Sequence, residues 1–278
     1  MKLNLKKLFA LATVICLAGL ILAGCGSSNS KKDNSVKNIQ NKKTIVLGTS
    51  ADFAPYEFPV VQNGQKKIIG YDILIAQKIA KRLGVKLKIE NIAFPSLVTE
   101  LKNNKVDFVM SGMIKTKSRA KVVNFSKPYY TGGNVLLIRK ADQNKFTSNA
   151  TLKNHQIGAQ QSSEQQKIGA SQLNKATMVT ESSINTLTAE LLNKNLDGVV
   201  MGKDVAETYV VKFPRKYAIA KITLKTPKGK GEIRAAVQKG DNALLKEINQ
   251  EITSLKNKGQ LDALYKQAKQ LQLKYDQK

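Results

Sequence analysis

The sequence predicts an α/β fold of two lobes joined by two hinge crossovers. Segments typical of strands and helices alternate from Thr44 onward, as expected for sheets that are largely parallel. The stretch LVTELKNNKVDFVMSG from Leu97 also aligns without a gap with LTAELLNKNLDGVVMG from Leu187. We therefore expect two similar lobes, the first made of residues 44–130 and 229–278 and the second of residues 131–228.

The N-terminal segment has the pattern of a lipoprotein signal peptide. Three early lysines precede an uncharged apolar run over residues 8–22, and LAGC then ends at Cys25. Cleavage before Cys25 would remove residues 1–24 and leave Cys25 as the lipidated first residue, on the outer face of the cytoplasmic membrane. The alternative is a membrane-spanning anchor, because the run is near the lower limit for a span. Residues 25–43 are polar and predict a flexible tether, which together with the high lysine content favours a Gram-positive cell.

The folded part is predicted to begin with a strand in TIVLGTS, from Thr44. In GYDILIAQKIAKRLG the apolar residues recur at helical spacing, and Gly84 suits the end of that helix. Alternating apolar residues from Val85 to Ile89 predict the next strand. The apolar positions that carry these two elements are Ile75, Ile79, Leu83, Val85, Leu87 and Ile89.

Each copy of the repeat is predicted to form a helix, a polar turn and a buried strand that ends at Gly112 or Gly202. A chance likeness between two amphipathic helices is the alternative. If the repeat is real, both glycines face a cleft at the carboxyl ends of strands. The segments 128–133 and 226–231 bracket the second lobe as paired hinges. A closing helix marked by Leu245, Ile248, Ile252 and Leu255 is expected to return to the first lobe.

Composition excludes several classes of function. Cys16 lies inside the signal and His155 is the only histidine, which argues against disulfides, zinc sites, thiol catalysis and serine-histidine catalysis. We therefore predict no catalytic residue, metal or cofactor. The 46 basic and 20 acidic residues give a formal charge of +26, suited to anionic cell-wall polymers and lipid headgroups. No nucleic-acid-binding motif is present, so nucleic acid is not an expected partner.

The motifs ADFAPYEF, GYDILIAQKIAKRLG, VDFVMSGMIKTKSRAKVVNFSKPYY, IGAQQSS and NKGQLDALYKQ occur in this order over residues 44–266. In these motifs the chain resembles the family 3 solute-binding proteins, the amino-acid-binding lipoproteins of ABC importers. The resemblance implies a type II periplasmic-binding-protein fold that closes on a small carboxylate ligand, most often an amino acid. It also implies delivery to an ABC permease with its ATPase subunits, without covalent chemistry.

The resemblance further implies that Arg119 grips the ligand carboxylate with a bidentate pair that lysine cannot form. A solvated basic turn is the alternative for Arg119, and core packing is the alternative for the two aromatic residues. In QQSSEQQ, the two serines fit capping boxes at a helix N-terminus that could donate N–H groups to an anion. The full set of implied ligand positions is Ser50, Phe53, Phe94, Ser111, Gly112, Ile114, Arg119, Gln160, Ser162, Ser163, Gly202 and Asp204.

Two positions depart from the family pattern. Ile114 stands where relatives carry a serine or threonine, and Gly202 stands where they carry an acid that pairs with the ligand ammonium. Because a buried ammonium without a counter-charge is costly, Asp204 or Glu164 substitutes, or the ligand is not a free α-amino acid. Two other functions stay open: a basic adhesion protein with a vestigial cleft, and a dehydratase with Glu164 as the acid.

Overall fold

The computed structural model describes residues 33–276, which form two α/β lobes. The elements up to the first crossover are α1 (Ser35–Asn41), β1 (Thr44–Thr49), β2 (Phe58–Gln62), β3 (Gln65–Ile69), α2 (Tyr71–Leu83), β4 (Lys86–Asn91), α3 (Leu97–Lys102), β5 (Phe108–Val109), α4 (Lys117–Val122), β6 (Val123–Phe125) and β7 (Tyr130–Thr131). Next come β8 (Asn134–Arg139), β9 (Gln156–Gln160), α5 (Glu164–Gln172), β10 (Thr177–Glu181), α6 (Ile184–Leu192), β11 (Gly198–Gly202), α7 (Lys203–Lys212) and β12 (Tyr217–Ile219). The chain ends with β13 (Glu232–Ile233), β14 (Ala236–Gln238), α8 (Asn242–Asn257) and α9 (Gln260–Asp276).

The two lobes contain sheets of the same design. The first sheet has the strand order β4-β1-β5-β14-β6, and the second has the order β10-β9-β11-β8-β12. In each sheet the first three strands are parallel and the last two pairings are antiparallel. The expectation of largely parallel sheets thus holds for three strands of each. Strand β14 enters from the other lobe, without the helical crossover that makes neighbouring strands parallel.

The sequence repeat corresponds to a repeated local structure. In the first copy the Lys105 N–H donates to the Glu100 carbonyl at 3.0 Å, and in the second the Asn195 N–H donates to the Glu190 carbonyl at 3.0 Å. The aspartate that follows each turn then accepts a backbone N–H at the start of a neighbouring strand. These bonds are Val46 N–H to Asp107 Oδ2, at 2.7 Å, and Gln156 N–H to Asp197 Oδ2, at 3.2 Å. The side-chain hydrogen bonds account for the shared aspartates, and the matching backbone turns argue against a chance likeness.

Part of the segment predicted as a flexible tether, residues 25–43, is folded. From Ser35 to Asn41 the chain is the helix α1, whose Ile39 is 2% exposed and packs into the core of the first lobe. The Asp33 carboxylate accepts the Ala243 N–H at the start of α8 and so joins the two helices. Burial of one isoleucine and this hydrogen bond overcome the polar composition that suggested a tether.

The predicted signal peptide, residues 1–24, and the lipidation site Cys25 lie outside the described residues. Within residues 33–276, no helix combines the length and the apolar character needed to cross a bilayer.

Two connections link the lobes, at the segments predicted as hinges. Strands β7 and β13 pair there, and the Gly132 N–H donates to the Gly231 carbonyl at 3.0 Å. The closing helix is α8, which packs on α2 of the first lobe. Its buried face carries Leu244 rather than the predicted Leu245, which is only partly buried, together with Ile248, Ile252 and Leu255.

Candidate functional site

A small cavity lies where the two lobes and the two connections meet. Its volume is about 20 Å³, roughly room for one water molecule, so the lobes are closed on each other. The walls come from the first lobe, the second lobe and the connections. The lining residues are Phe53, Tyr56, Gly112, Ile114, Gly132, Gly133, Asn134, Gln165, Gly202, Asp204, Gly231 and Ile233.

Arg119 is buried between the lobes instead of forming a solvated turn. Its backbone N–H donates to Thr116 Oγ1 at the start of α4, which places the side chain, 9% exposed, over the ring of Phe94 at 5.1 Å. Nη1 donates to the Ile114 carbonyl at 2.8 Å, and Nη2 donates to the Ser162 carbonyl of the second lobe at 2.9 Å. Burial lowers the pKa of Arg119 to about 10, so the guanidinium stays charged at neutral pH.

The guanidinium contacts the chain just before α5, at the Ser162 carbonyl. Ser163 caps the helix, since its Oγ accepts the Gln166 N–H at 3.0 Å. Ser162 does not cap it as predicted, because its partner Gln165 instead donates to Asn134 Oδ1 at 3.0 Å. Ser162 has a φ of 64° and presents its carbonyl to the guanidinium. The predicted Gln160 is 5% exposed and donates from Nε2 to the Ser182 carbonyl, at 3.1 Å.

Phe53 fills the space between the two repeat glycines. A Cβ on Gly112 would lie 2.6 Å from the ring, and Gly112 has a φ of +54°, so this position requires glycine. A Cβ on Gly202 would lie 3.7 Å from the same ring, at ordinary contact distance. The ring of Phe53 stacks on Tyr56, with centroids 5.5 Å apart. The other predicted aromatic residue, Phe94, packs its ring face against the guanidinium of Arg119.

Two buried acids hold the Ser111–Gly112 loop. Ser111 Oγ accepts the Ser50 N–H at 3.0 Å and donates to Glu57 Oε1 at 3.0 Å. The Gly112 N–H donates to Asp72 Oδ2 at 2.9 Å, so this donor points into the lobe. Glu57 and Asp72 were missed by the sequence interpretation. Their signal is an acid inside an otherwise apolar motif, in PYEF and in GYDILIA.

Asp204 lies in the first turn of α7 and accepts hydrogen bonds from three tyrosines. Tyr130 donates to Oδ1 at 2.7 Å, Tyr265 donates to Oδ1 at 2.8 Å, and Tyr56 donates to Oδ2 at 3.3 Å. Tyr56 and Tyr265 belong to the first lobe, so the carboxylate connects both lobes at the cavity beside Gly202. No motif predicts that these tyrosines meet, because they come from three distant segments of the chain.

Glu164 is nearly buried and ion-paired. Lys230 Nζ lies 2.7 Å from Oε1, and Lys167 Nζ lies 3.8 Å from Oε2. Burial is the main influence on the pKa of Arg119 and lowers it, while the charge of Glu164 acts in the opposite direction. The carboxylate of Glu164 therefore already has basic partners.

Asp52 makes a further contact between the lobes that the sequence did not indicate. Its Oδ2 accepts the Ile184 N–H, at 2.8 Å, at the N-terminus of α6 in the second lobe. Burial raises the pKa of Asp52, and the hydrogen bond from Ile184 opposes that increase.

Comparison with known proteins gives one consistent result. The family model for bacterial extracellular solute-binding proteins, family 3, matches residues 45–269. The arginine-binding extracellular protein ArtP of Bacillus subtilis (strain 168) is 30% identical in an alignment of 264 residues that covers 94% of this chain and 97% of the relative. Other relatives are named "probable histidine-binding protein", from Campylobacter jejuni, and "ABC transporter glutamine-binding protein GlnH", from Bacillus subtilis.

The solved structures agree. An amino acid ABC transporter substrate-binding protein from Streptococcus pneumoniae, bound to L-arginine, is similar with a TM-score of 0.80 and 32% identity, covering 84% of this chain and 97% of that one. The ancestral amino-acid-binding protein AncCDT-1, a precursor of cyclohexadienyl dehydratase, has a TM-score of 0.74 and 29% identity, covering 84% and 98%. With its two α/β lobes of the type II periplasmic-binding-protein fold, the chain belongs to the bacterial extracellular solute-binding proteins, family 3.

Proposed function

We propose that this protein captures an amino acid between its lobes and presents it, in the closed form, to an ABC permease with its ATPase subunits. The observation that carries the proposal is the buried guanidinium of Arg119, which reaches from the Ile114 carbonyl in one lobe to the Ser162 carbonyl in the other. L-Arginine is the first candidate ligand, because several relatives are named for binding it.

The ligand carboxylate would take the place of a backbone carbonyl on Arg119. A carboxylate is the stronger acceptor, and it matches both arms of the guanidinium fork. Since the present cavity is small, the lobes must separate before the ligand enters. Contacts made with both lobes would then favour closure around it.

The ligand ammonium would pair with Asp204. Three tyrosine hydroxyls use part of the acceptor capacity of this carboxylate, which is about four hydrogen bonds, and leave room for one N–H donor. Gly202 lines the same cavity as Asp204 and places no side chain of its own there. Glu164 is the weaker candidate for binding the ammonium because its carboxylate already forms an ion pair with Lys230.

A thermal-shift screen tests ligand binding. The panel contains L-arginine, L-histidine, L-glutamine, other amino acids, keto acids and small peptides. At least one amino acid in it should raise the melting temperature of the purified protein. Ligand at about a hundred times its Kd adds roughly 2.7 kcal/mol to the free energy of unfolding. Arg119→Ala should abolish the shift, and Arg215→Ala, at an exposed arginine, should preserve it. A panel without any stabilising ligand, or an unchanged shift in Arg119→Ala, would contradict the proposal.

We also propose that residues 1–24 are removed and that a lipid on Cys25 holds the protein at the outer face of the cytoplasmic membrane. The basic and apolar segments that end in LAGC support this. Cys25→Ser should release the protein in cell fractionation. Firm membrane attachment of the variant would favour the spanning anchor instead.

A second candidate function is adhesion to anionic cell-wall polymers. The formal charge of +26 favours it, and removal of the three lysines in residues 1–24 leaves the chain strongly basic. Protein produced without Cys25 should bind isolated walls at low salt and elute as ionic strength rises, because salt screens exposed charges. Retention that is indifferent to salt would remove this candidate.

The dehydratase interpretation lacks geometric support. Glu164 is 5% exposed and its Oε1 lies 2.7 Å from Lys230 Nζ, so this oxygen is already paired and is not free to reach a substrate. Turnover of a carboxylate substrate that disappears in Glu164→Gln would restore this interpretation.

A further inference from the structure

Two carboxyl groups are buried together beneath the Ser111–Gly112 loop. The side chains of Glu57 and Asp72 belong to residues that are 0% exposed. Across the described part of the chain, neither forms an ion pair with a lysine or arginine. Two buried negative charges side by side without a cation would be very costly, so the pair needs another means of stabilisation.

The hydrogen bonds divide the four oxygens into two groups. Glu57 Oε1 accepts from Ser111 Oγ at 3.0 Å, while Asp72 Oδ2 accepts from the Gly112 N–H at 2.9 Å and from the Tyr129 hydroxyl at 2.9 Å. The other two oxygens, Glu57 Oε2 and Asp72 Oδ1, are buried and receive no donor from residues 33–276. Each carboxyl group influences the pKa of the other, so the two groups lie close together. Ionised carboxylates only accept hydrogen bonds, so two charged groups would leave both of these oxygens without a donor, whereas one proton shared between the groups supplies a donor.

We propose that Glu57 and Asp72 share one proton and act as a positioning pair that fixes the Ser111–Gly112 loop for ligand capture. The ligand role rests on the proposed function; the shared proton does not. Ser111 Oγ, which donates to Glu57, also accepts the Ser50 N–H. Three of the predicted ligand positions, Ser50, Ser111 and Gly112, are therefore held by the pair. Both residues are positioning residues, because they act through the loop.

The surroundings favour one proton rather than none. The other titratable groups that face the pair are Asp52, from the loop after β1, and the phenols of Tyr56, Tyr71 and Tyr129. Each of them is neutral or negative, so none offsets a second negative charge. Burial, followed by the charge of Asp72, raises the pKa of Glu57 well above its usual value.

The sign of the pH effect follows from linkage. An unfolded chain releases the Glu57 proton near pH 4.3, about the ordinary pKa of glutamate, whereas the folded protein keeps it to higher pH. In that window the folded state holds more protons. The pair therefore stabilises the fold at low pH, and its contribution falls as pH rises to the raised pKa.

Amide substitutions test the shared proton without ligand. In Glu57→Gln the amide oxygen can accept from Ser111 while its N–H donates to Asp72, as the proton does. Asp72→Asn can do the reverse. We expect each single variant to fold, and the pH slope of the unfolding free energy in Glu57→Gln to differ from wild type by about one proton. The double variant brings two amide N–H groups together and should lose more stability than the sum of the singles.

Infrared spectroscopy gives a second readout. At neutral pH the wild-type protein should show a protonated-carboxyl band that is missing in Glu57→Gln and kept in the control Glu247→Gln, which changes an acid on α8 paired with Arg82. Identical pH slopes, an additive double variant and no such band would overturn the shared proton. If Glu57→Gln does not fold, the Asp72→Asn variant and its spectrum decide the same question.

Titration with L-arginine as a function of pH tests the positioning role. The wild-type Kd should rise by up to roughly tenfold per pH unit above the pKa of the pair, and this rise should be reduced in Glu57→Gln. Glu57→Ala should bind more weakly at every pH. Equal binding of the wild-type protein and Glu57→Ala would overturn the positioning role. If the band and slopes are as expected but neither L-arginine nor any other member of the panel binds, the shared proton stands and the proposed function fails.

Discussion

Arg119 makes its two side-chain hydrogen bonds with different lobes, which is why its guanidinium geometry matters. We expect Arg119→Ala to weaken amino-acid binding by about 2–5 kcal/mol, the typical effect of removing one partner of a buried charged pair. Arg119→Lys should recover only part of this, because the ammonium is a single point charge and cannot form the bidentate pair with the ligand carboxylate. Calorimetric titration with L-arginine measures both variants.

The melting temperature should change little in these two variants, since water can reach the freed carbonyls when the lobes open. Wild-type affinity in Arg119→Lys would show that a point charge is sufficient and that the bidentate grip is wrong.

Asp204 should distinguish ligands by their amine. Asp204→Asn removes the negative charge while keeping an oxygen that can accept from the tyrosines, so it should weaken L-arginine far more than the corresponding keto acid. The exposed Asp262 on α9 provides a matched control, Asp262→Asn. Competition titrations with the two ligands measure the difference. An equal loss of affinity for both ligands would show that Asp204 does not bind the ammonium. The remaining explanations would be that Glu164 binds it or that the natural ligand has no amine.

At the level of single residues, motifs were sufficient where the chemistry is local. The arginine after a basic turn and the glycine at the strand end could be predicted, and the structure places Arg119 and Gly112 at the cleft. The pairing of Glu57 with Asp72 could not be predicted, because their burial results from packing between segments that are separate in sequence. The same holds for Tyr265, which reaches Asp204 from the last helix.

Among the elements, the short pairing of β7 with β13 leaves no room for a side chain at Gly231. A Cβ on Gly231 would lie 2.1 Å from the Gly132 carbonyl oxygen, which is backbone and cannot turn away. Gly231→Ala should therefore separate the two crossovers and lower stability by about 1–3 kcal/mol, as overpacking does. Gly133→Ala is the matched control, since its Cβ would meet no atom within 4 Å. Chemical denaturation compares the two, and equal stability would show that the crossovers are not tightly paired.

Periodicity predicted the elements best where packing and sequence agree. Helix α2 and strand β4 occur where the apolar spacing places them. Helix α1 was missed because its one buried residue, Ile39, gives no periodic signal in a polar segment. On α8 the buried position is Leu244 rather than Leu245, a shift that depends on how the helix rotates against α2. Local patterns do not specify that rotation.

For the whole molecule, Asp52 is a contact that depends on closure. Its carboxylate reaches the Ile184 N–H of the other lobe, so Asp52→Ala should favour the open form and lower ligand affinity, whereas Asp52→Asn keeps an acceptor and should retain more of both. Small-angle scattering with and without L-arginine measures the radius of gyration. A closed, compact Asp52→Ala protein without ligand would show that the contact does not govern closure.

The two-lobed architecture and its cleft follow from the repeat and from the family motifs. The contacts across the cleft do not, because they depend on the angle between lobes, which no single segment encodes. Asp52 and Asp204 both illustrate this, since each meets partners more than sixty positions away in the chain.

The tyrosines around Asp204 also give the protein an optical property. The sequence has no tryptophan, so its near-ultraviolet emission comes from eight tyrosines. Five of them form one ring cluster, Tyr56, Tyr71, Tyr129, Tyr130 and Tyr265. A phenol that donates to a carboxylate emits weakly, and the carboxylate here sits on the opposite lobe from two of the donors. Opening should therefore brighten the intrinsic fluorescence and closing should dim it, so that the unlabelled protein reports its own conformation in real time.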